Sequence, residues 1–279
     1  MTLSATPRVE TFLAEYSADD MIARYISRTA GAGVVYALTN IYASVYSRVI
    51  TSLITRRPER HKFRVLEYGC GGGMNLLKIL ELFLQKGAEV EKGIGTDFSS
   101  RMIQAAREDA LLNFPPYLNE KIQFAVARNE MLATDLAASL HASIAEVEGS
   151  FDIVVGVNTF RYCHRLKREV DCAKDIFKLL RPGGYSVMID MNAAFPLFRS
   201  RLPEILRHPT PEAYLPGIAE YRRPFELAGF TLVETRNFCW IPHSATPRLV
   251  AVCRALAPAL DRWLSPFAMR SLVVGQRPA

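Results

Sequence analysis

The sequence predicts an α/β fold built around a mostly parallel β-sheet. Short apolar runs typical of buried strands alternate along the 279 residues with amphipathic segments typical of helices. In one place the pattern is complete. The apolar run 63–66 ends in an acid and a glycine cluster, and the amphipathic run 74–84 follows at once, which indicates strand, turn and helix. With 49% hydrophobic and 22% charged residues, the chain has enough apolar side chains for a full core.

The glycines of this turn, Gly69, Gly71 and Gly73, occupy alternate positions. Because they lack Cβ atoms, they allow positive φ angles and let a ligand lie against the main chain. A dinucleotide-binding fingerprint needs a further glycine at position 74 or 76, where the chain has Met74 and Leu76. A phosphate-binding P-loop needs Gly-Lys-Ser/Thr after four spacer residues, which this turn lacks. The turn is therefore predicted to hold a ligand, but neither of these two patterns fits.

The turn instead reads acid-x-Gly-x-Gly-x-Gly from Glu67, which resembles motif I of the class I S-adenosylmethionine (SAM)-dependent methyltransferases. A helix, a Leu-x-Pro-Gly-Gly turn at 179–185 and a strand form a second resemblance to the same family. Together the two motifs imply a seven-stranded, mostly parallel, Rossmann-like sheet in which strand 7 is antiparallel. They also imply SAM as cofactor, S-adenosylhomocysteine (SAH) as product and methyl transfer as the reaction.

The resemblance further implies which residues bind the cofactor. Asp97 ends the second predicted strand, where an acid can accept hydrogen bonds from both ribose hydroxyls; alternatively, it caps the helix that follows. After the third predicted strand the family has an acid for the adenine amino group, but this chain has Arg128, so Asn129 or Glu130 is expected to supply the acceptor. The cofactor-binding candidates are Glu67, Gly69, Cys70, Gly71, Gly73, Asn75, Asp97, Phe98, Ser99, Met102, Arg128, Asn129, Glu130, Asn158 and Thr159.

Residues 1–60 are expected to form an N-terminal arm and a helical lid. The pattern over 17–54 is helical, with a break at its glycines. Tyr42 and Tyr46 lie four residues apart and therefore on one helix face. They either pack against the sheet or help to enclose the cofactor and the substrate.

Residues 61–279 are expected to form the methyltransferase domain, with an inserted substrate cover at 191–216 after strand 5. The other predicted helices are 99–110, 131–148, 167–180, 217–228 and 248–263, and the predicted strands are 63–66, 93–97, 122–126, 151–158, 186–190, 230–240 and 271–276.

Catalytic candidates follow the fourth predicted strand, where open α/β sheets bind ligands. His164 is the first choice for a general base, and Tyr162 and Arg161 are expected to orient the substrate. His243 and His208 are the next choices for a base. The substrate-binding candidates are Tyr42, Tyr46, Phe160, Phe195, Phe198 and Arg199.

The net charge, the cysteines and the absence of one motif limit the classes of partner and metal that the sequence predicts. The net charge is +6, but the Lys and Arg residues are scattered rather than clustered. The five cysteines form no C-x-x-C pair, so neither a disulfide framework nor a metal site is expected. Amino-methyltransferases of nucleic-acid bases carry a D/N/S-P-P-aromatic tetrad after the fourth strand, and this chain does not, so no nucleic-acid partner is expected. No charged and apolar leader is visible, which predicts a cytoplasmic enzyme.

One segment raises the question of membrane contact. Residues 29–47 carry no charge and are close in number to a membrane span. Polar residues interrupt the segment, so a core helix or an active-site lid is expected, and membrane contact is the alternative.

The expected function is transfer of a methyl group from SAM to an O or N nucleophile of a small-molecule acceptor in natural product biosynthesis, by a monomer or a homodimer. The alternatives are a lipid, peptide or RNA substrate, a SAM-binding partner subunit without catalysis, and an NAD-linked enzyme.

Overall fold

The computed structural model describes residues 19–26, 34–160, 162–163, 166–199, 215–242 and 245–279. Its strands are β1 (Lys62–Tyr68), β2 (Glu89–Asp97), β3 (Ile122–Val126), β4 (Phe151–Val157), β5 (Leu180–Met191), β6 (Thr231–Phe238) and β7 (Arg270–Gln276). Its helices are α1 (Asp19–Ile26), α2 (Val34–Arg56), α3 (Met74–Gln85), α4 (Ser100–Asn113), α5 (Pro116–Asn119), α6 (Leu132–Ser139), α7 (Ile144–Val147), α8 (Glu169–Leu179), α9 (Pro196–Arg199), α10 (Ile218–Ala228) and α11 (Pro247–Leu264), with 3₁₀ turns at Asn129–Met131 and Ser265–Phe267.

All the strands join one seven-stranded sheet in the order β3-β2-β1-β4-β5-β7-β6. β1 to β5 pair in parallel, whereas β7 runs antiparallel to both of its neighbours, β5 and β6. The predicted α/β, Rossmann-like sheet with strand 7 antiparallel is confirmed. The carboxyl ends of β1 to β6 consequently meet at one edge of the sheet, and β7 begins there.

The turn predicted at 179–185 is corrected in part, because β5 already begins at Leu180, which pairs with Phe151 of β4. The register between the two strands shifts just after this pair, so the Arg-Pro-Gly-Gly residues form a bulge rather than a free turn. Gly183 has a φ of +76° within the bulge, a conformation that favours glycine.

The core has one apolar layer on each face of the sheet. α2 and α3 cover one face, and α6, α8 and α10 cover the other. The described part of the uncharged segment belongs to α2 and supplies core side chains. The buried apolar side chains of α2 are Leu38, Tyr42, Val45, Tyr46, Val49, Ile50 and Leu53. No helix in the described ranges combines the length and apolarity needed to cross a membrane.

A buried charge cluster lies at the opposite, amino edge of the parallel strands. The Asp152 side chain is fully buried at the start of β4. It accepts hydrogen bonds from the Arg64 backbone N–H at 2.8 Å and from Arg181 Nη1 at 3.0 Å. The guanidinium groups of Arg60 and Arg57 lie 3.3 and 3.8 Å from its carboxylate oxygens. One carboxylate thus joins β5 to the segment between α2 and β1.

Candidate functional site

The glycine turn after β1 has the backbone that the sequence predicts. Gly69, Gly71 and Gly73 have φ angles of +60°, +52° and +72°, all in the left-handed region. A Cβ on Gly69 would lie 2.1 Å from Cγ2 and 2.8 Å from Cβ of Thr159, which follows β4. Glycine is therefore required at position 69 both by its φ angle and by the close approach of the β4 loop.

Glu67, the acid of the turn, anchors the start of α3. Its Oε2 accepts a hydrogen bond from the Leu76 N–H at 2.8 Å, and its Oε1 accepts one from Asn75 Nδ2 at 2.9 Å. The Tyr46 hydroxyl on α2 donates to Asn75 Oδ1 at 3.0 Å. Because Gly73 has no side chain with which to cap α3, Glu67 satisfies an N–H of its first turn.

Asp97, at the end of β2, is buried beside the glycine turn. Its Oδ2 accepts a hydrogen bond from the Gly71 N–H at 3.2 Å, and its Oδ1 accepts one from the Ser99 N–H at 3.0 Å. Burial raises the pKa of Asp97 to about 6, although these backbone hydrogen bonds oppose the shift. The N-cap of α4 is Ser99, whose Oγ accepts from the Met102 N–H at 3.3 Å, so Asp97 is not the cap. A carboxylate oxygen has two lone pairs, so both oxygens keep capacity for a ligand hydroxyl.

The residues after β3 divide into a surface pair and a buried amide. Arg128 forms a two-pronged ion pair with Asp135, with Nε–Oδ2 and Nη2–Oδ1 distances of 2.7 and 3.0 Å. Asn129 is buried, and its Nδ2 donates to the Thr159 carbonyl at 3.4 Å. Within the part of the chain that the structure describes, Asn129 Oδ1 is buried without a hydrogen-bond partner. Glu130 is half-buried. Asn129 therefore offers an unused acceptor next to the β4 loop.

The loop after β4 begins in a strained conformation. Asn158 has a φ of +57°, and its N–H donates to the Ile189 carbonyl of β5 at 2.7 Å. Asparagine tolerates this left-handed region better than most residues, and such strain often occurs at functional sites. Of the catalytic candidates, Tyr162 is half-buried in this loop. The others lie outside the described residues, and they are Arg161, His164, His208 and His243.

Several of the predicted substrate-binding side chains are buried in contact with other side chains. Tyr42 and Tyr46 are buried on α2, and Phe160 packs against Phe225 with ring centroids 4.6 Å apart. Phe195 is also buried, and its ring meets that of Phe198 edge to face at 5.2 Å. The side chain of Arg199 lies outside the described residues.

The other cofactor candidates lie in the glycine turn and in the first residues after β2. Cys70 is buried in the turn, and its Sγ lies 2.9 Å from the position of a Cβ on Gly95 of β2. Phe98 is half-buried, and Met102 is buried in the first turn of α4. These side chains follow the ends of two neighbouring strands, as the sequence predicts.

Comparison with known proteins decides the family. A family model described as a methyltransferase domain matches residues 59–221, which is more than half of the chain. The chain is a class I SAM-dependent methyltransferase. SAM is accordingly its cofactor. No curated protein matches the chain at a significant level.

Solved structures share the fold of this methyltransferase at low sequence identity. Magnesium protoporphyrin IX methyltransferase from Synechocystis PCC 6803, with bound SAH, has a TM-score of 0.58 and 14% identity, over 96% of this chain and 99% of that one. A methyltransferase in complex with its Trm112 activator from Haloferax volcanii has a TM-score of 0.53 and 18% identity, over 96% and 98%. The CurJ carbon methyltransferase has a TM-score of 0.55 and 14% identity, over 100% and 72%.

The prediction from sequence missed Arg270 of the methyltransferase. This first residue of β7 is fully buried at the carboxyl edge, and its Nε donates to the Tyr42 hydroxyl at 3.2 Å. The predicted strand began one residue later, at position 271. A signal was present, because strand alternation places Arg270 on the same sheet face as Leu272 and Val274, both core residues.

Proposed function

We propose that this methyltransferase transfers the methyl group of SAM to an O or N nucleophile of a small, soluble acceptor. The supporting observation is the position of α1 directly over the glycine turn. A Cβ on Gly72 would lie 2.4 Å from the Tyr25 carbonyl oxygen, so the two backbones are in contact. A cofactor site covered by helices of its own chain favours an acceptor that can be enclosed with the cofactor over a macromolecule that must bind from outside.

The described residues fit SAM, and we assign them the following roles. Asp97 accepts hydrogen bonds from the ribose hydroxyls, and the unpaired Oδ1 of buried Asn129 accepts one from the adenine amino group. The backbone at Gly69, Gly71 and Gly73, which have no Cβ atoms, lies against the methionine part. Phe98 and Met102 flank the adenine. Asn158 and Thr159 close the site from the β4 side.

The chemistry places modest demands on the protein. SAM supplies an electrophilic methyl group on a sulfonium that is already a good leaving group. The chain therefore has to align the nucleophile and exclude water. Helices α1 and α2 and the buried Phe195 exclude water, and Tyr162 orients the acceptor. Where the nucleophile carries a proton, His164 is the proposed base.

The acceptor class is tested by incubating the purified protein with SAM labelled in its methyl group. Separate reactions contain phenols, amines, mixed phospholipid vesicles, total RNA and peptides, and Asp97→Ala serves as the blank. We expect label in the phenol or amine reactions only. Label found only in RNA, peptide or lipid would contradict the proposal.

A pH dependence of SAH binding follows from the pKa of Asp97, which is about 6. Below this value the group is protonated and no longer accepts at both oxygens, so affinity should fall about tenfold between about pH 7 and about pH 5. The folded-state pKa lies above the unfolded one, so this group favours folding at low pH and the contribution is lost as the pH rises through 6. Protonation of Asp97 therefore does not destabilise the fold, and the expected loss of SAH affinity at acid pH is not an effect of unfolding caused by this group. Calorimetry with Asp97→Asn as control should show weak, pH-independent binding for the variant, and equal slopes for both proteins would refute this role.

A lipid acceptor is the second candidate, favoured by the surface of α11. No side chain of this helix is buried. A stripe at helical spacing consists of Leu249, Val252, Leu256 and Trp263, which are 41%, 53%, 52% and 75% exposed. The same helix carries the basic residues Arg248, Arg254 and Arg262. Apolar and basic side chains on one exposed helix are typical of binding to anionic membranes.

Vesicle co-sedimentation distinguishes the two candidates. If the acceptor is a membrane lipid, vesicles that contain phosphatidylglycerol should retain the protein, and Leu256→Ala with Trp263→Ala should release it. The control is Leu111→Ala with Leu112→Ala on α4, which removes two leucines that are 73% and 82% exposed elsewhere. Absence of vesicle binding would leave the small, soluble acceptor as the better candidate.

A further inference from the structure

Arg270 carries a buried positive charge that the described residues leave largely unpaired. Its side chain has no solvent exposure, and its Nε is bonded to the Tyr42 hydroxyl. Nη1 and Nη2 are both buried without a hydrogen-bond partner among the described residues. A guanidinium stays protonated in proteins, and burying it without acceptors is costly. Such a group persists in a fold only where something outweighs that cost.

The neighbours of Arg270 that the structure describes form no ion pair with it. Burial raises the pKa of the Tyr42 hydroxyl to about 12, so this partner is a neutral phenol. Within the described ranges, no carboxylate forms an ion pair with Arg270. Asp190 is buried nearby on β5 and acts electrostatically on the Tyr42 hydroxyl, but it pairs with Ser271, so its side chain leaves the sheet on the other face. Among the described residues, no carboxylate is therefore bonded directly to this guanidinium.

The position of Arg270 points to the acceptor side of the cofactor site. It begins β7 opposite Met191, the last residue of β5, at the edge where parallel sheets bind ligands. Three strand spacings separate β7 from β1 and its glycine turn, which amounts to about 14 Å. One face of α2 connects the two places, because Tyr42 contacts Arg270 and Tyr46 contacts Asn75.

We propose that Arg270 binds an anionic group, a carboxylate or a phosphate, on the methyl acceptor. The planar fork of an arginine matches either group through two parallel N–H···O bonds, here from Nη1 and Nη2. Phe238 is the cross-strand neighbour of Arg270, and its ring packs against the Tyr42 ring with centroids 5.9 Å apart. Because the guanidinium has no solvent exposure, anion binding at this site requires these rings to move. This inference rests on the proposed function in one respect, because it takes the bound anion to be part of the methyl acceptor.

The proposal is tested by whether replacement of Arg270 raises or lowers the unfolding temperature. Arg270→Met keeps the length of the side chain and removes the charge, so the variant should unfold at a higher temperature than the wild type when no anion is present. The matched control is Arg181→Met. Arg181 is bonded to buried Asp152, so its loss should lower the unfolding temperature. If Arg270 were a structural arginine, its replacement would destabilise the protein as well.

Anion titration gives a second readout that does not depend on catalysis. Sodium phosphate and sodium benzoate are the probes, with sodium chloride at equal ionic strength as the reference. Wild-type protein should be stabilised saturably by at least one probe, by about 5 °C at about a hundred times the dissociation constant. Arg270→Met should lose this response, and Arg270→Lys, which keeps the charge but not the fork, should bind about tenfold more weakly.

The outcomes separate this inference from the proposed function. Equal anion responses in wild type and Arg270→Met, or destabilisation by Arg270→Met, would overturn the anion site. A positive anion response together with methyl transfer only to RNA, peptide or lipid would support the site and refute the small soluble acceptor.

Discussion

Replacing Gly69 with alanine is expected to reduce SAH affinity by more than about a hundredfold. The residue has a φ of +60°, which costs a non-glycine residue about 1–2 kcal/mol. The added Cβ would also lie 2.1 Å from Cγ2 and 2.8 Å from Cβ of Thr159, so rotation of the threonine cannot relieve the collision and the β4 loop must move. Since the glycine turn and this loop flank the proposed cofactor position, the movement deforms the site. Calorimetric titration with SAH measures the loss.

Gly87→Ala is the matched control for this change. Gly87 has a φ of +71°, but nothing lies within 4 Å of the position of its Cβ. The backbone cost should be similar, at about 1 kcal/mol of unfolding free energy, with no change in SAH affinity. Wild-type affinity in Gly69→Ala would show that the cofactor does not depend on this turn.

Replacing Asp152 with alanine is expected to lower the free energy of unfolding by about 3–5 kcal/mol. The carboxylate is fully buried, and Arg57, Arg60 and Arg181 lie within 3.0–3.8 Å of it. Its removal leaves these guanidinium groups facing one another without a counter-charge, and the Arg64 N–H loses its acceptor. Urea unfolding followed by circular dichroism measures the change.

An exposed ion pair provides the comparison for Asp152. Asp135 forms a two-pronged ion pair with Arg128, whose side chain is 50% exposed. Asp135→Ala should therefore cost at most about 1 kcal/mol. If the two variants lost similar stability, the charge cluster around Asp152 at the amino edge of the sheet would not be a major source of stability.

The sequence was sufficient for features that depend on neighbouring residues. The left-handed glycines at 69, 71 and 73 follow from their spacing, and the succession of strands and helices along the chain follows from alternating apolar and amphipathic runs. The antiparallel strand 7 was expected from the resemblance to the family. Asp97 could be placed beside the glycine turn because neighbouring parallel strands end at the same edge. Each of these predictions rests on a rule that acts within one strand, turn and helix unit or between two neighbouring strands.

Features that join distant parts of the chain could not be predicted in this way. Tyr46 and Asn75 are 29 positions apart, and the hydrogen bond between them depends on how α2 packs against α3. Tyr42 and Arg270 are 228 positions apart. A helical pattern fixes the face on which each tyrosine lies, but not the residue that it meets. The unpaired charge of Arg270 becomes visible only when all of its neighbours are known.

Calorimetric titration of the wild-type protein and of Asp97→Ala with SAH tests the cofactor site most directly. We expect micromolar binding by the wild type and a loss of about 1–3 kcal/mol in the variant, which lacks the proposed ribose acceptor. Absence of binding by the wild type would contradict the assignment of the glycine turn and Asp97 to the cofactor.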